Sequence, residues 1–441
     1  MSRPSLRRSL TVWMNGERVG LWTHPARGPE EFAYAPQWLA ASDARPISLS
    51  MPLGPPGSNF RGQVVTSFFD NLLPESEATR ARIQARFAAP TTRAFDLLVE
   101  IGRDCVGALQ LLPEDARPTS LRRIEGTGLS AAGVEKALAG SLAGNHAFGA
   151  RDDLGLRVSL AGMQEKAALL RQNGRWWRPS GATPTTHILK LPIGKGVQGI
   201  DLTTSVENEW LCANILRAYG VAVAASRIER FGDYRVLVVE RFDRRLATDK
   251  SWIIRLPQED LCQATGTPAA IKYQSDGGPG IVRIMQLLLG SAQPHIDRRN
   301  FLRIQLLFWL LCVIDGHAKN FSIFIEAGGG FRLTPLYDVL SAYPVLGKKS
   351  GKVSASKITM AMAVEGKRRH YRWSLMQHRH WEETAHRCGM AAEFPLIAME
   401  LIERTPEVIK VVGSQLPADF PDSVATPILR GLRDAAKVLS R

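Results

Sequence analysis

The chain has 441 residues, 45% hydrophobic and 22% charged, with a formal net charge of +14. That length suffices for two or three packed units, and the apolar content excludes a largely disordered protein. The positive excess favours polyanionic partners, but it is spread through short clusters such as Arg241/Arg244/Arg245, Lys348/Lys349/Lys352 and Lys367/Arg368/Arg369. A solvated basic surface therefore explains it as well as nucleic-acid binding does.

Five scattered cysteines, none in a C-x-x-C pair, argue against a zinc site or a disulfide framework and fit a reducing cytoplasm. The basic start MSRPSLRRSL runs into no continuous apolar stretch, so no signal peptide is expected. The longest apolar run, Leu306 to Ile314, has nine residues. A bilayer needs ~20, so this run predicts a buried helix and no membrane partner.

In chain order, Leu10–Met14 and Arg18–Trp22 carry strand patterns, and Val64–Phe87 a helical one. A polar connection at Pro113–Gly128 marks the first boundary. Strand patterns then recur at Arg157–Leu160, Lys166–Arg171, Thr186–Lys190, Ala225–Phe231 and Tyr234–Val239, interrupted by a helix over Ser205–Tyr219. Helical patterns dominate from Pro257 onward, broken by a hairpin of Phe321–Glu326 and Phe331–Leu336 around Gly328–Gly330. The expected architecture is α+β: an N-terminal β-rich subdomain (1–112), a β-rich lobe (113–245) and an all-helical C-terminal lobe (246–441). A β-rich lobe joined to a helical one near Glu240–Asp243 is the outline of a two-lobed phosphotransferase.

The segment DGHAKN, Asp315 to Asn320, starts where the apolar helix ends. Beyond the hairpin, 23 residues after Asp315, LYDVL delivers Asp338. Phosphoryl transfer needs an acidic group near the attacking hydroxyl and oxygen ligands for Mg²⁺ on the phosphates. Asp315 suits the first role; Asn320 and Asp338 suit the second. The Asp-x₄-Asn spacing equals that of the protein-kinase catalytic loop. Taken alone it reads more simply as a capping Asp and a turn Asn, and the hairpin and Asp338 in order tip the balance. Lys190, ending the strand THILK, could meet the α/β-phosphates of ATP, with Glu207 or Glu209 of the next helix as its partner. Glu240 and Phe242 fit a nucleotide-contacting hinge, and His317 and Lys319 could help neutralise the transferring phosphate. The loose dinucleotide pattern at Gly126–Ala131 follows no apolar strand, and Gly347–Lys352 falls short of a Walker A loop. His378 and His380 read as surface residues.

Eight segments then occur in order: SFFDNLLPES (Ser67–Ser76), EIGRDCVGALQLLPED (Glu100–Asp115), SLAGMQEKAALL (Ser159–Leu170), TTHILKLPIG (Thr185–Gly194), VERFDRR (Val239–Arg245), RLPQEDLCQATG (Arg255–Gly266), DGHAKNFSIFI (Asp315–Ile325) and LTPLYDVLSAYP (Leu333–Pro344). On these, nearly the whole chain resembles the HipA-type serine/threonine-protein kinase toxins. The resemblance implies a kinase-related fold, ATP and Mg²⁺ as cofactors, Asp315 as base, Asn320 and Asp338 as metal ligands, and Lys190 as the ATP lysine. It adds Ser159 as an autophosphorylated serine. The adjoining phosphate loop has one glycine, Gly162, so cradling would rely on the amides of Leu160, Ala161, Gly162, Met163 and Gln164 and on Lys166. The family also implies a HipB-like helix-turn-helix antitoxin, operator DNA reached through that complex, and an aminoacyl-tRNA synthetase substrate, glutamate–tRNA ligase. The expected location is the cytoplasm, at the nucleoid when in the complex. A small-molecule or lipid phosphotransferase and a non-catalytic corepressor are the alternative readings.

Overall fold

The computed structural model describes residues 8–142, 164–196 and 199–440. At the N-terminus an antiparallel sheet runs in the order Asn59–Arg61, Glu31–Tyr34, Glu17–His24, Arg8–Met14, Leu109–Pro113. Asn15 and Gly16, both at positive φ, close its first hairpin with the left-handed pair that a two-residue turn requires. Trp22, Phe32 and Phe95 are buried in its core, and Trp22 stacks on Phe69 with ring centroids 3.9 Å apart.

The single helix expected over Val64–Phe87 is two helices, Gln63–Asp70 and Glu77–Phe87. Pro74 lies in the gap, where its missing N–H and ring stop the first helix from continuing. Ser76 caps the second by accepting from Thr79 N–H. The first helix fully buries Val65, Phe68 and Phe69, whereas the second only packs Ile83 and Phe87, half-buried, against the same core.

The next lobe is a sheet in the order Ser226–Phe231, Tyr234–Glu240, His187–Lys190, Lys166–Gln172, Arg175–Pro179, Gly126–Leu129, with every neighbour antiparallel. The dinucleotide-like glycines form its edge strand. A Cβ at Gly126 would stand 2.4 Å from the carbonyl oxygen of Arg178, so the glycine allows close strand approach and cradles no phosphate. The helix Ser205–Ala218 packs against the strands Ser226–Phe231 and Tyr234–Glu240. The expected strand Arg157–Leu160 lies outside the described residues.

Where this sheet meets the rest of the chain, five charges are buried together. Asp104 of the N-terminal subdomain accepts from Arg244 at 2.9 Å and Arg255 at 3.3 Å, and Arg241 pairs with Asp243 at 2.8 Å. Burial alone would raise the carboxyl of Asp104, but Arg244, Arg241 and Arg255 hold it well below the usual carboxylate range.

The C-terminal lobe packs the helices Pro294–Leu310, His378–Arg387, Glu393–Ser414 and Asp422–Leu439 around Phe308, Trp381, Phe394 and Leu432. It is mainly but not wholly helical, which corrects the all-helical expectation for 246–441. Gln258–Asp260, Ser322–Ile325 and Phe331–Leu333 form one sheet, and Thr359–Glu365 pairs with Arg369–Arg372 in another. The Met-Ala-Met-Ala run in the latter reads as helix-forming, but burial on both faces and a hairpin partner override propensity. Among the described residues no helix is long and apolar enough to cross a membrane. The whole is an α+β, kinase-like two-lobed fold with an added N-terminal subdomain.

Candidate active site

Lys190 ends a central strand, paired with Lys166 on one side and Leu237 on the other. Its ammonium lies 2.6 Å from Glu209 Oε1 and 2.8 Å from Asp338 Oδ1. Of the two helix glutamates weighed from sequence, Glu209 is therefore the partner. Glu207, two residues earlier and so on another face of the helix, pairs with Arg235. Burial disfavours the charged lysine, yet Asp338 and Glu209 outweigh it and raise the pKa of Lys190. Asp338 is held well below the usual carboxylate range: burial opposes this, but Lys190 and Lys166 prevail. Burial raises Glu209, partly offset by Lys190. Lys166, half-buried beside Lys190, is pushed down to about 8 by desolvation and then by the charge of Lys190.

Asp338 adopts φ +60, a left-handed conformation that costs a non-glycine residue ~1–2 kcal/mol. The backbone just before it is pinned on both sides: Leu336 N–H donates to the carbonyl of Ala222 at 2.9 Å, and Ala224 N–H donates to the carbonyl of Leu336 at 2.8 Å. These bonds hold Asp338 against the sheet that carries Lys190.

Asp315 follows the buried helix Pro294–Leu310, with 60% of its side chain exposed. Desolvation by the surrounding chain raises its pKa, against hydrogen bonding from Tyr273 and the field of Lys272; Asp338 raises it further. Asn320 Nδ2 donates to the backbone carbonyl of Asp315 at 2.7 Å, tying the two ends of DGHAKN together. That bond uses the amide nitrogen and leaves the Asn320 carbonyl oxygen as an acceptor. With the Asp338 carboxylate it supplies hard oxygen donors, the kind Mg²⁺ takes together with nucleotide phosphates.

Two expectations about this loop change. Lys319 is buried and donates to Asn71 Oδ1 at 2.7 Å, Asn71 O at 3.1 Å and Asp260 Oδ2 at 2.8 Å. All three of its donors are thus committed to a strut between the lobe and the N-terminal subdomain, which removes it as a phosphate ligand. His317 is buried and its pKa is pushed down to about 3, by desolvation first and then by Lys272, so it is neutral and offers no charge to a phosphate. Phe242 is half-buried, with its ring 5.8 Å from Phe324 and 5.9 Å from Tyr337, while Glu240 is exposed at the end of its strand. Gln164 donates to the carbonyl of Leu191 beside Lys190. Ser159, Leu160, Ala161, Gly162 and Met163 lie outside the described residues. His380, expected at the surface, is buried and stacked on His370 at 4.0 Å. Sequence reasoning gave no role to Tyr273, Lys272 or Glu75, all of which act on Asp315; Glu75 lies in the segment SFFDNLLPES, whereas no motif announces the other two.

A family model described as the HipA-like C-terminal domain matches residues 158–409, and one for the HipA N-terminal domain matches residues 10–112. The chain belongs to the HipA family. It is 35% identical over 360 residues to Y4mE of Sinorhizobium fredii, covering 80% of this chain and 82% of that one. To the serine/threonine-protein kinase toxin HipA of Shewanella oneidensis it is 27% identical over 309 residues, 67% of this chain and 66% of the other. Its fold matches HipA in the solved complex of Shewanella oneidensis HipA, HipB and operator DNA, with a TM-score of 0.78 at 22% identity over 97% of this chain and 96% of that one.

Proposed function

We propose that this HipA-family protein is an ATP-dependent serine/threonine protein kinase and the toxin of a toxin–antitoxin pair. The observation that carries the reading is the Glu209–Lys190–Asp338 chain of contacts, near enough to Asp315 for the charge of Asp338 to raise its pKa. Lys190, kept charged by its two carboxylates, binds the α/β-phosphates of ATP. The acceptor hydroxyl donates to Asp315. As its oxygen bonds to the γ-phosphorus, the bond from that phosphorus to the leaving ADP oxygen breaks, and the proton passes to Asp315. A carboxyl whose pKa lies above its ordinary value is suited to take that proton. Asn320 and Asp338 hold Mg²⁺, which when bound would offset the negative charge of the phosphates.

Ser159 is the proposed autophosphorylation site. A phosphoserine adds roughly 1.5–2 negative charges, which would repel ATP from the adjoining loop and silence the kinase. The proposed partners are a HipB-like antitoxin and, through it, operator DNA; the solved HipA–HipB–DNA complex of a family member supports this. The proposed substrate is an aminoacyl-tRNA synthetase, glutamate–tRNA ligase, and the proposed location is the cytoplasm.

Incubation with Mg-ATP is expected to label Ser159, and the Asp315→Asn variant to remain unlabelled. Equal labelling of that variant overturns the assignment of the base. Phosphoproteomics after induced expression, with Asp338→Gln as the control, identifies the substrate; a set of phosphoproteins lacking every aminoacyl-tRNA synthetase removes that part of the reading.

A further inference from the structure

The hydroxyl of Tyr273 donates to Oδ1 of Asp315 at 2.5 Å. Tyr273 sits between the short turns Ala269–Ile271 and Gln274–Asp276, and its placement is over-determined. Its carbonyl accepts from Asp276 N–H at 3.1 Å and Gly278 N–H at 2.9 Å. Gly278 admits no side chain, because a Cβ there would stand 2.3 Å from the carbonyl oxygen of Ile271. The next residue, Gln274, is buried and accepts from Ala363 N–H at 2.7 Å. The phenol ring meets His317 edge-on at 5.1 Å, and the Lys272 ammonium lies 5.4 Å from its centre. Lys272 is itself buried and paired with Glu75 of the N-terminal subdomain. A rigid frame therefore delivers the hydroxyl, and the LPES segment at Leu73–Ser76 helps to build that frame through Glu75.

Among the described residues, Asp315 is held on one oxygen only. Its Oδ1 carries the Tyr273 bond and lies 3.7 Å from His317 Nε2, whereas among the described residues no hydrogen bond reaches Oδ2. A terminal carboxylate torsion is broad and nearly two-fold, so an untethered Asp315 would swing freely in the cleft. We propose that Tyr273 is a positioning residue for phosphoryl transfer, holding one oxygen of Asp315 so that the other meets the acceptor hydroxyl. The proposal rests on Asp315 as the base. Tyr273 suits the part because burial, then the charge of Asp315, raises its pKa and keeps the hydroxyl a donor.

The test is Tyr273→Phe in the full chain, which keeps the ring and removes the donor. With a protein acceptor and Mg-ATP, kcat is expected to fall about tenfold to hundredfold, the scale on which misplacing a reacting group acts. KM for ATP and the thermal midpoint should stay at wild-type values. An unchanged kcat overturns the proposal, and so does a loss of kcat that comes with a lowered midpoint and weakened ATP binding, since that is a structural role. Asp315→Asn is measured alongside. If it retains full activity, the base assignment fails and the inference falls with it; if it is inactive while Tyr273→Phe is not, only the inference fails.

Discussion

The ammonium of Lys190 stands 2.8 Å from Oδ1 of Asp338, joining residues 148 positions apart. Glu209 holds the same ammonium from the other side. One buried cation therefore contacts two carboxylates, and removing it leaves both with only the weaker field of Lys166. Lys190→Met is expected to destabilise the fold by about 3–5 kcal/mol in urea titration, the usual cost of breaking a buried pair. Transfer of labelled phosphate should fall at least ~100-fold, because the phosphate clamp proposed for Lys190 is lost as well. Asp338→Asn should lose transfer just as fully at a smaller cost in stability, since the amide still fits beside the lysine.

Lys319 lies one residue from Asn320 but faces the other way, into Asn71 and Asp260. Lys319→Met should therefore cost stability, roughly 3–5 kcal/mol, by stranding the Asp260 carboxylate. Below its unfolding temperature the variant should bind an ATP analogue with wild-type affinity. Calorimetry on both variants separates the strut from the phosphate clamp: Lys190→Met should lose both stability and nucleotide affinity, and Lys319→Met only the first.

The roles proposed for Asp315, Asn320, Asp338 and Lys190 come from the sequence, because phosphoryl transfer ties residue types to short spacings and to the ends of strands; what the fold adds is the contact of Lys190 with Asp338. The choice between Glu207 and Glu209 was not, since it depends on which helix face turns toward Lys190, and only packing decides that. The break at Pro74 was written in the sequence and was outweighed by the helical pattern around it. Lys319 and Tyr273 were beyond reach for another reason. Their partners, Asn71 and Asp315, lie 248 and 42 positions away, and no local period records such a contact. The same holds for Asp104, whose arginines come from the hinge and the strand Ile253–Arg255.

That aspartate gives a third prediction. Asp104 is buried among Arg241, Arg244 and Arg255, and it also accepts from the backbone and hydroxyl of Thr185, at 2.9 and 2.7 Å. Asp104→Asn preserves shape but removes the charge these guanidiniums share. The expected loss is about 3–5 kcal/mol. Because the cluster joins the N-terminal subdomain to the hinge, limited proteolysis should cut the variant first in the connection at Pro113–Gly128. Cleavage at an unchanged rate would mean that the subdomain is held by its apolar contacts alone.

Glu259 supplies the pH dependence. It is fully buried in the strand Gln258–Asp260, where Oε1 accepts from Leu49 N–H at 2.8 Å and Oε2 has no partner among the described residues. Burial pushes its carboxyl up to about 8, partly offset by the Leu49 N–H. In the unfolded chain a glutamate titrates near ~4.3. The folded state thus binds this proton more tightly than the unfolded one. Its contribution to stability is complete below the unfolded value and is lost as pH rises through about 8. Glutamine mimics the neutral acid and cannot ionise, so Glu259→Gln should match wild type near pH 4–5 and exceed it by roughly 3–5 kcal/mol above pH 8. Urea titrations of both proteins across that range test this: the gap must widen as pH rises from ~4.3 and level off above about 8, and parallel curves would mean that Glu259 carries its charge throughout.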